Sequence, residues 1–116
     1  MPDLPGIDSQ AGLQHANGKP ELYRKLLQVF SASHGRDFES GMRDALRDGD
    51  WPAAVRLAHS LKTSARMVGA NALADLAAEL EEACRASQRD TVGGLFAGLL
   101  PELARVCRGL AAASRN

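Results

Sequence analysis

Residues 50–70 read DWPAAVRLAHSLKTSARMVGA, and the spacing of apolar residues in this stretch decides the fold. Asp50 is a good N-cap, Pro52 sits just inside the helix start, and Gly69 suits the turn that ends a helix. The stretch therefore predicts a helix from Trp51 to Val68. At about 100° per residue with His59 at zero, Ala54, Ala58, Leu61, Ala65 and Val68 gather at roughly −140°. That is a single core-facing stripe. Arg56, His59, Lys62 and Arg66 all fall within roughly 60° of His59 on the opposite side, with Thr63 beside the imidazole. These residues are expected to form one exposed basic ribbon.

The pattern repeats on either side. Asp8 or Ser9 caps a short helix reaching about Ala16, after a loose lead-in over residues 1–7. Asn17-Gly18-Lys19 is turn chemistry, and Pro20 with Glu21 opens a helix whose apolar residues are Tyr23, Leu26, Leu27 and Phe30. Gly35 is expected to close it. Asp37 to Arg47 forms a third helix through Phe38, Met42, Ala45 and Leu46, weakened at Gly41 by about 1 kcal/mol relative to Ala. After Gly69, Asn71 is expected to cap a fifth helix to about Ser87, buried through Leu73, Leu76, Ala77, Leu80 and Cys84. A last helix follows Arg89-Asp90 and reaches about Ala113, with Phe96, Leu99, Leu103, Val106 and Leu110 inward. Pro101 lies within it and should kink it.

Composition agrees with the pattern. The chain has 116 residues, enough for one core and little more, so a single domain over 1–116 is expected. It contains 20 Ala and 16 Leu against 8 Ile, Val and Thr together, a balance that favours helices over strands. Short connections between amphipathic helices imply antiparallel neighbours. The expected fold is therefore all-α, an antiparallel up-down four-helix bundle with short flanking N-terminal helices.

Lys and Arg number 14, as do Asp and Glu, and this zero net charge argues against a general nucleic-acid binder. No apolar run is long enough to span a bilayer, and the first residues lack signal-peptide character, so a cytoplasmic location and a monomer without membrane insertion are expected. In a hairpin around residue 90, Cys107 lies roughly 16 Å along the axis from the level of Cys84, too far for a disulfide. Both are read as reduced core residues.

The basic ribbon suits an anion. A neutral imidazole has a nucleophilic nitrogen, and a phosphoryl group placed on it carries about two negative charges. Lys62, one turn away, is within reach of its oxygens, and Arg56 and Arg66 extend the positive field. By itself an exposed histidine among basic residues is more often a solvated face. The local sequence adds to this. Ala58-His59-Ser60-Leu61-Lys62-Thr63, followed by Gly69-Ala70, resembles the signature of histidine phosphotransfer domains, which is His-x-Leu-Lys-Gly with Gly-Ala after the helix. Gly49-Asp50-Trp51, the stripe from Leu73 to Cys84, Gly6-Ile7-Asp8 and the helix from Glu21 to Phe30 are also similar to that family.

The resemblance implies a phosphorelay intermediate of two-component signal transduction. His59 would accept a phosphoryl group from a receiver-domain aspartate and pass it to another receiver. Lys62 would face the phosphate, and Arg56, Thr63, Arg66 and Gly69 would contact phosphate or partner. The partners would be receiver domains of response regulators or of a hybrid sensor kinase. Any Mg²⁺ would belong to the receiver's pocket, so no cofactor or metal is expected in this chain. Thr63 departs from the family pattern, standing where glycine is usual.

Two rival readings remain. A histidine-kinase core usually has an acidic residue after its histidine, whereas Ser60 follows His59, and 116 residues leave no room for an ATP-binding domain. The chain is therefore expected to be a carrier without autokinase activity, free-standing or the end of a hybrid sensor kinase. A non-catalytic helical adaptor would keep the bundle without needing His59 or Lys62. His15 and His34 lie near helix ends and are not expected to act. Trp51 and Tyr23 read as packing residues, and Gly93-Gly94 lacks the lysine of a phosphate loop.

Overall fold

A computed structural model describes residues 6–34 and 36–113, with side chains described at all of these except 9, 15, 31–34, 36 and 110–113. Met1 to Pro5 of the expected lead-in, the proposed closure at Gly35, and the side chains of His15, His34 and Leu110 lie outside the described residues.

The described residues are all-helical. Six helices follow one another: α1 (Ser9–His15), α2 (Pro20–His34), α3 (Arg36–Asp48), α4 (Trp51–Val68), α5 (Asn71–Arg85) and α6 (Arg89–Ala113). Three boundaries have a clear local cause. The Asp8 side chain accepts from the Ala11 N–H and starts α1, and Asp50 accepts from the Ala53 N–H at 3.1 Å and starts α4. Gly69 ends α4 with φ 86°. The expectation for α5 needs correcting: Ala70 occupies the cap position and makes no side-chain bond, and Asn71 is the first helical residue. α2 is also longer than a short flanking helix, at 15 residues.

The predicted stripes form the core. All five apolar residues of the α4 stripe are buried, as are Tyr23, Phe30, Phe38, Met42, Leu73 and Leu80. α6 contributes Val92, Phe96, Leu99, Leu103 and Val106 and stays helical across Pro101, which is exposed. The molecule measures 40 × 24 × 18 Å, so its cross-section is about two helix diameters of ~10 Å each way. α4 is the hub, packing against α5, α3, α1 and α2, while α5 also packs on α6. Cys84 is a buried free thiol and Cys107 a half-buried one.

α1 seats on the end of α4. The Asp8 N–H donates to the Gly69 carbonyl at 2.6 Å, and a Cβ on Gly69 would overlap the Asp8 carbonyl oxygen. Glycine is therefore required twice over at 69, by the left-handed φ and by the close approach. The buried Tyr23 hydroxyl donates to the Val68 carbonyl at 2.7 Å, tying α2 to the same end. Tyr23→Phe is expected to lower stability by about 1–2 kcal/mol, because it leaves a buried carbonyl without this donor. The shift in the urea midpoint measures it, and an unchanged midpoint would show that the bond contributes nothing net.

Candidate functional site

The site lies where α4 meets α5. Gly69 and Ala70 turn the chain between them. His59 lies ten residues before this turn and Glu81 eleven after it, so packing of the two helices brings them to one level. The His59 side chain is 56% exposed, which leaves its ring open to solvent, while Glu81 is 1% exposed. His59 Nδ1 is 3.2 Å from Glu81 Oε2. Lys62 Nζ is 2.7 Å from the other carboxylate oxygen, Oε1, as an ion pair. Arg85, at the last turn of α5, places Nη2 2.5 Å from Oε2 and Nη1 3.1 Å from Glu82 Oε1. One buried carboxylate is therefore shared by an imidazole, an ammonium and a guanidinium.

A buried carboxylate persists only when its charge is answered. Burial pushes the Glu81 carboxyl up, but contact with Lys62 and His59 and the charges of Lys62 and Arg85 outweigh burial and hold it below the ordinary carboxylate value. Glu81 is therefore an anion near neutral pH. The neighbouring Cys84 thiol is pushed up by burial and then by the Glu81 charge, so it is a poor nucleophile.

The structure divides the expected site residues. Arg56, His59, Thr63 and Arg66 are exposed along α4. Lys62 departs from the expectation of an exposed ribbon. Its side chain is only 20% exposed, and its ammonium is turned to Glu81. Gly69 departs further. It is buried beneath Asp8 and lies about 15 Å along the helix from His59 at ~1.5 Å per residue, so it is a capping glycine rather than a contact for phosphate or partner. Sequence reasoning missed Glu81 and Arg85. Their signal was available: reflecting His59 across the Gly69-Ala70 turn lands on Leu80, next to Glu81, and Arg85 follows Glu81 at the i,i+4 spacing of a helical ion pair.

Among the described residues, no group of three or more His, Cys, Asp or Glu side chains could hold a metal ion. No helix among them is long and apolar enough to cross a membrane. Residues 25–113 match the family model described as the Hpt domain. No curated protein and no solved structure matches the chain. The match covers most of the chain, and the protein belongs to the Hpt domain family, whose members take part in histidine phosphotransfer in two-component phosphorelays and are carriers rather than kinases. α1 and the first turn of α2, including Tyr23, precede the matched region.

Proposed function

We propose that this chain is a phosphorelay carrier whose acceptor atom is Nε2 of His59. The observation that carries this reading is the contact between Nδ1 and Glu81. An ionised carboxylate only accepts hydrogen bonds, so the 3.2 Å contact requires the proton on Nδ1. In the neutral ring the lone pair then belongs to Nε2. Glu81 thus selects the nucleophilic tautomer, much as a carboxylate hydrogen-bonded to a metal-bound histidine fixes that ring.

The transfer balances without an external acid or base. The Nε2 lone pair forms the N–P bond as the P–O bond to a receiver aspartate breaks, and the aspartate leaves as a carboxylate. The ring keeps its Nδ1 proton and becomes a phosphoimidazolium, whose positive charge faces Glu81. In the reverse direction Nε2 departs with its electron pair as neutral imidazole. Lys62 holds Glu81 ionised and adds positive charge beside the ring, while Arg56 and Arg66 present a basic face to an acidic partner pocket.

The partners of this reading are receiver domains, one donating and one accepting. No cofactor is assigned to this chain, and Mg²⁺ belongs to the receiver. The two- and three-residue connections α3–α4, α4–α5 and α5–α6 support α3 to α6 as an antiparallel up-down bundle, flanked by α1 and α2. We read the chain as a single monomeric domain acting in the cytoplasm. A phosphorylated receiver should label the purified protein, and ATP with Mg²⁺ alone should not. The label should be acid-labile and base-stable. Labelling by ATP alone would replace the carrier reading with a kinase, and no labelling by any of a panel of receivers would favour an adaptor.

Thr63 lies one turn beyond His59 on the exposed side of α4, so its methyl group narrows the approach to the ring. Thr63→Gly should cost about 0.5–1 kcal/mol in helix propensity. It should also widen the set of receivers that exchange phosphate with the protein. Transfer rates from several unrelated phosphorylated receivers check this. An unchanged ranking would make Thr63 a helix residue only.

A further inference from the structure

Three cationic or potentially cationic groups meet at Glu81, and they are not equally held. Lys62 is largely buried and pinned to Oε1. His59 is as exposed as Arg85, but its short side chain has few rotamers and meets Oε2 through Nδ1 at 3.2 Å. Arg85 is the loose member: its side chain is 53% exposed, it stands at the last turn of α5, and its fork is divided between Glu81 and Glu82. It also touches Oε2, the same oxygen that His59 Nδ1 faces, so guanidinium and imidazole are close neighbours competing for one acceptor.

Phosphorylation changes that competition. The ring becomes a cation and binds Oε2 more strongly through Nδ1–H, while the phosphoryl oxygens attached to its far nitrogen bring about two negative charges. The potential at Arg85 then favours the phosphoryl oxygens over an oxygen already claimed. A guanidinium is suited to such an exchange, because its planar fork meets phosphoryl oxygens in pairs and it holds its charge at all accessible pH values.

We propose that Arg85 is a phosphate-responsive positioning residue: it holds Glu81 while His59 is unmodified and turns to the phosphoryl group once Nε2 carries it. This rests on the acceptor reading of His59. Released from Arg85, Glu81 keeps its full charge for the phosphoimidazolium and Lys62. The exchange stabilises the loaded state without any movement of the helices. Outside this role Arg85 is an ordinary i,i+4 helical ion pair, which would be indifferent to phosphate.

The test uses the full chain and phosphoramidate, a small donor whose P–N bond breaks with loss of ammonia as the Nε2–P bond forms. The ³¹P signal of the loaded protein and the side-chain Nε–Hε resonance of Arg85 are followed together. In the parent, loading should shift the Arg85 resonance. In Arg85→Ala the ³¹P signal should move from its parental position, and uptake should slow by about ten-fold. Arg85→Lys should recover part of the rate, since it keeps the charge and loses the fork. Glu82→Gln should leave the ³¹P signal in place. If His59 is loaded but the Arg85 resonance and the ³¹P position do not respond, the proposal fails and the acceptor reading stands. If the ³¹P signal persists in His59→Gln, or the parent does not load, both fail.

Discussion

His59→Gln is expected to give a folded, fully helical protein that takes up no phosphate from any phosphorylated receiver. The ring is more than half exposed, so its removal uncovers no core. A glutamine amide can still donate toward Glu81, and Lys62 and Arg85 remain to answer the carboxylate. Stability should therefore change by less than about 1 kcal/mol. Transfer, by contrast, loses its only proposed nucleophile. An amide nitrogen has its lone pair delocalised into the carbonyl and does not attack phosphorus. The expected result is loss of uptake to background, with melting temperature and helicity close to the parent. Phosphate retained on the variant would remove His59 from the mechanism.

Glu81→Gln should be the most damaging conservative change elsewhere in the site. The variant keeps size and hydrogen-bonding capacity but leaves Lys62 facing a neutral group. Breaking a fully buried pair costs about 3–5 kcal/mol; here the ammonium is partly solvated and the amide still accepts, so about 1–3 kcal/mol is expected. The amide can donate to Nδ1 as readily as accept from it, so the ring is no longer held as the Nε2 nucleophile, and the phosphoimidazolium loses its counter-charge. Transfer should slow roughly ten-fold to a hundred-fold.

The pH dependence follows from the lowered carboxyl. A group whose folded value lies below its unfolded value stabilises the protein fully above the unfolded value, near 4.5 here, and that contribution disappears as pH falls through the folded one. The stability advantage of the parent over Glu81→Gln should therefore be constant near neutrality and shrink below pH 4.5. Urea unfolding at a series of pH values measures it. A difference independent of pH would mean that Glu81 is not an ionised partner in the folded state.

The contrast between α4 and α5 shows what was legible in the sequence. The five buried residues of α4 follow directly from a 3.6-residue period, because small and aliphatic side chains on one helical face have few ways to pack. Capping was legible wherever a side chain performs it, as at Asp50, and not where backbone geometry suffices, as at Ala70. Lys62 was misplaced for a physical reason. It stands between the exposed ribbon and the core stripe, and a single helix does not reveal which flank its neighbour covers. α5 covers that flank. Glu81 was hidden because apolar periodicity discounts a charged residue at the edge of a stripe, and the groups that answer its charge come partly from another helix. Gly69 was assigned a surface role from its place in a motif, whereas contact with Asp8, 61 residues earlier in the chain, buries it.

Which ring nitrogen of His59 carries the phosphoryl group can be read in one experiment. The full chain, labelled with ¹⁵N at histidine and loaded from a phosphorylated receiver, would be examined for ³¹P–¹⁵N coupling at neutral pH. One phosphorylated histidine, His59, is expected, with phosphorus coupled to Nε2 and a proton retained on Nδ1. Phosphorus coupled to Nδ1, or found on any other residue, would contradict that assignment.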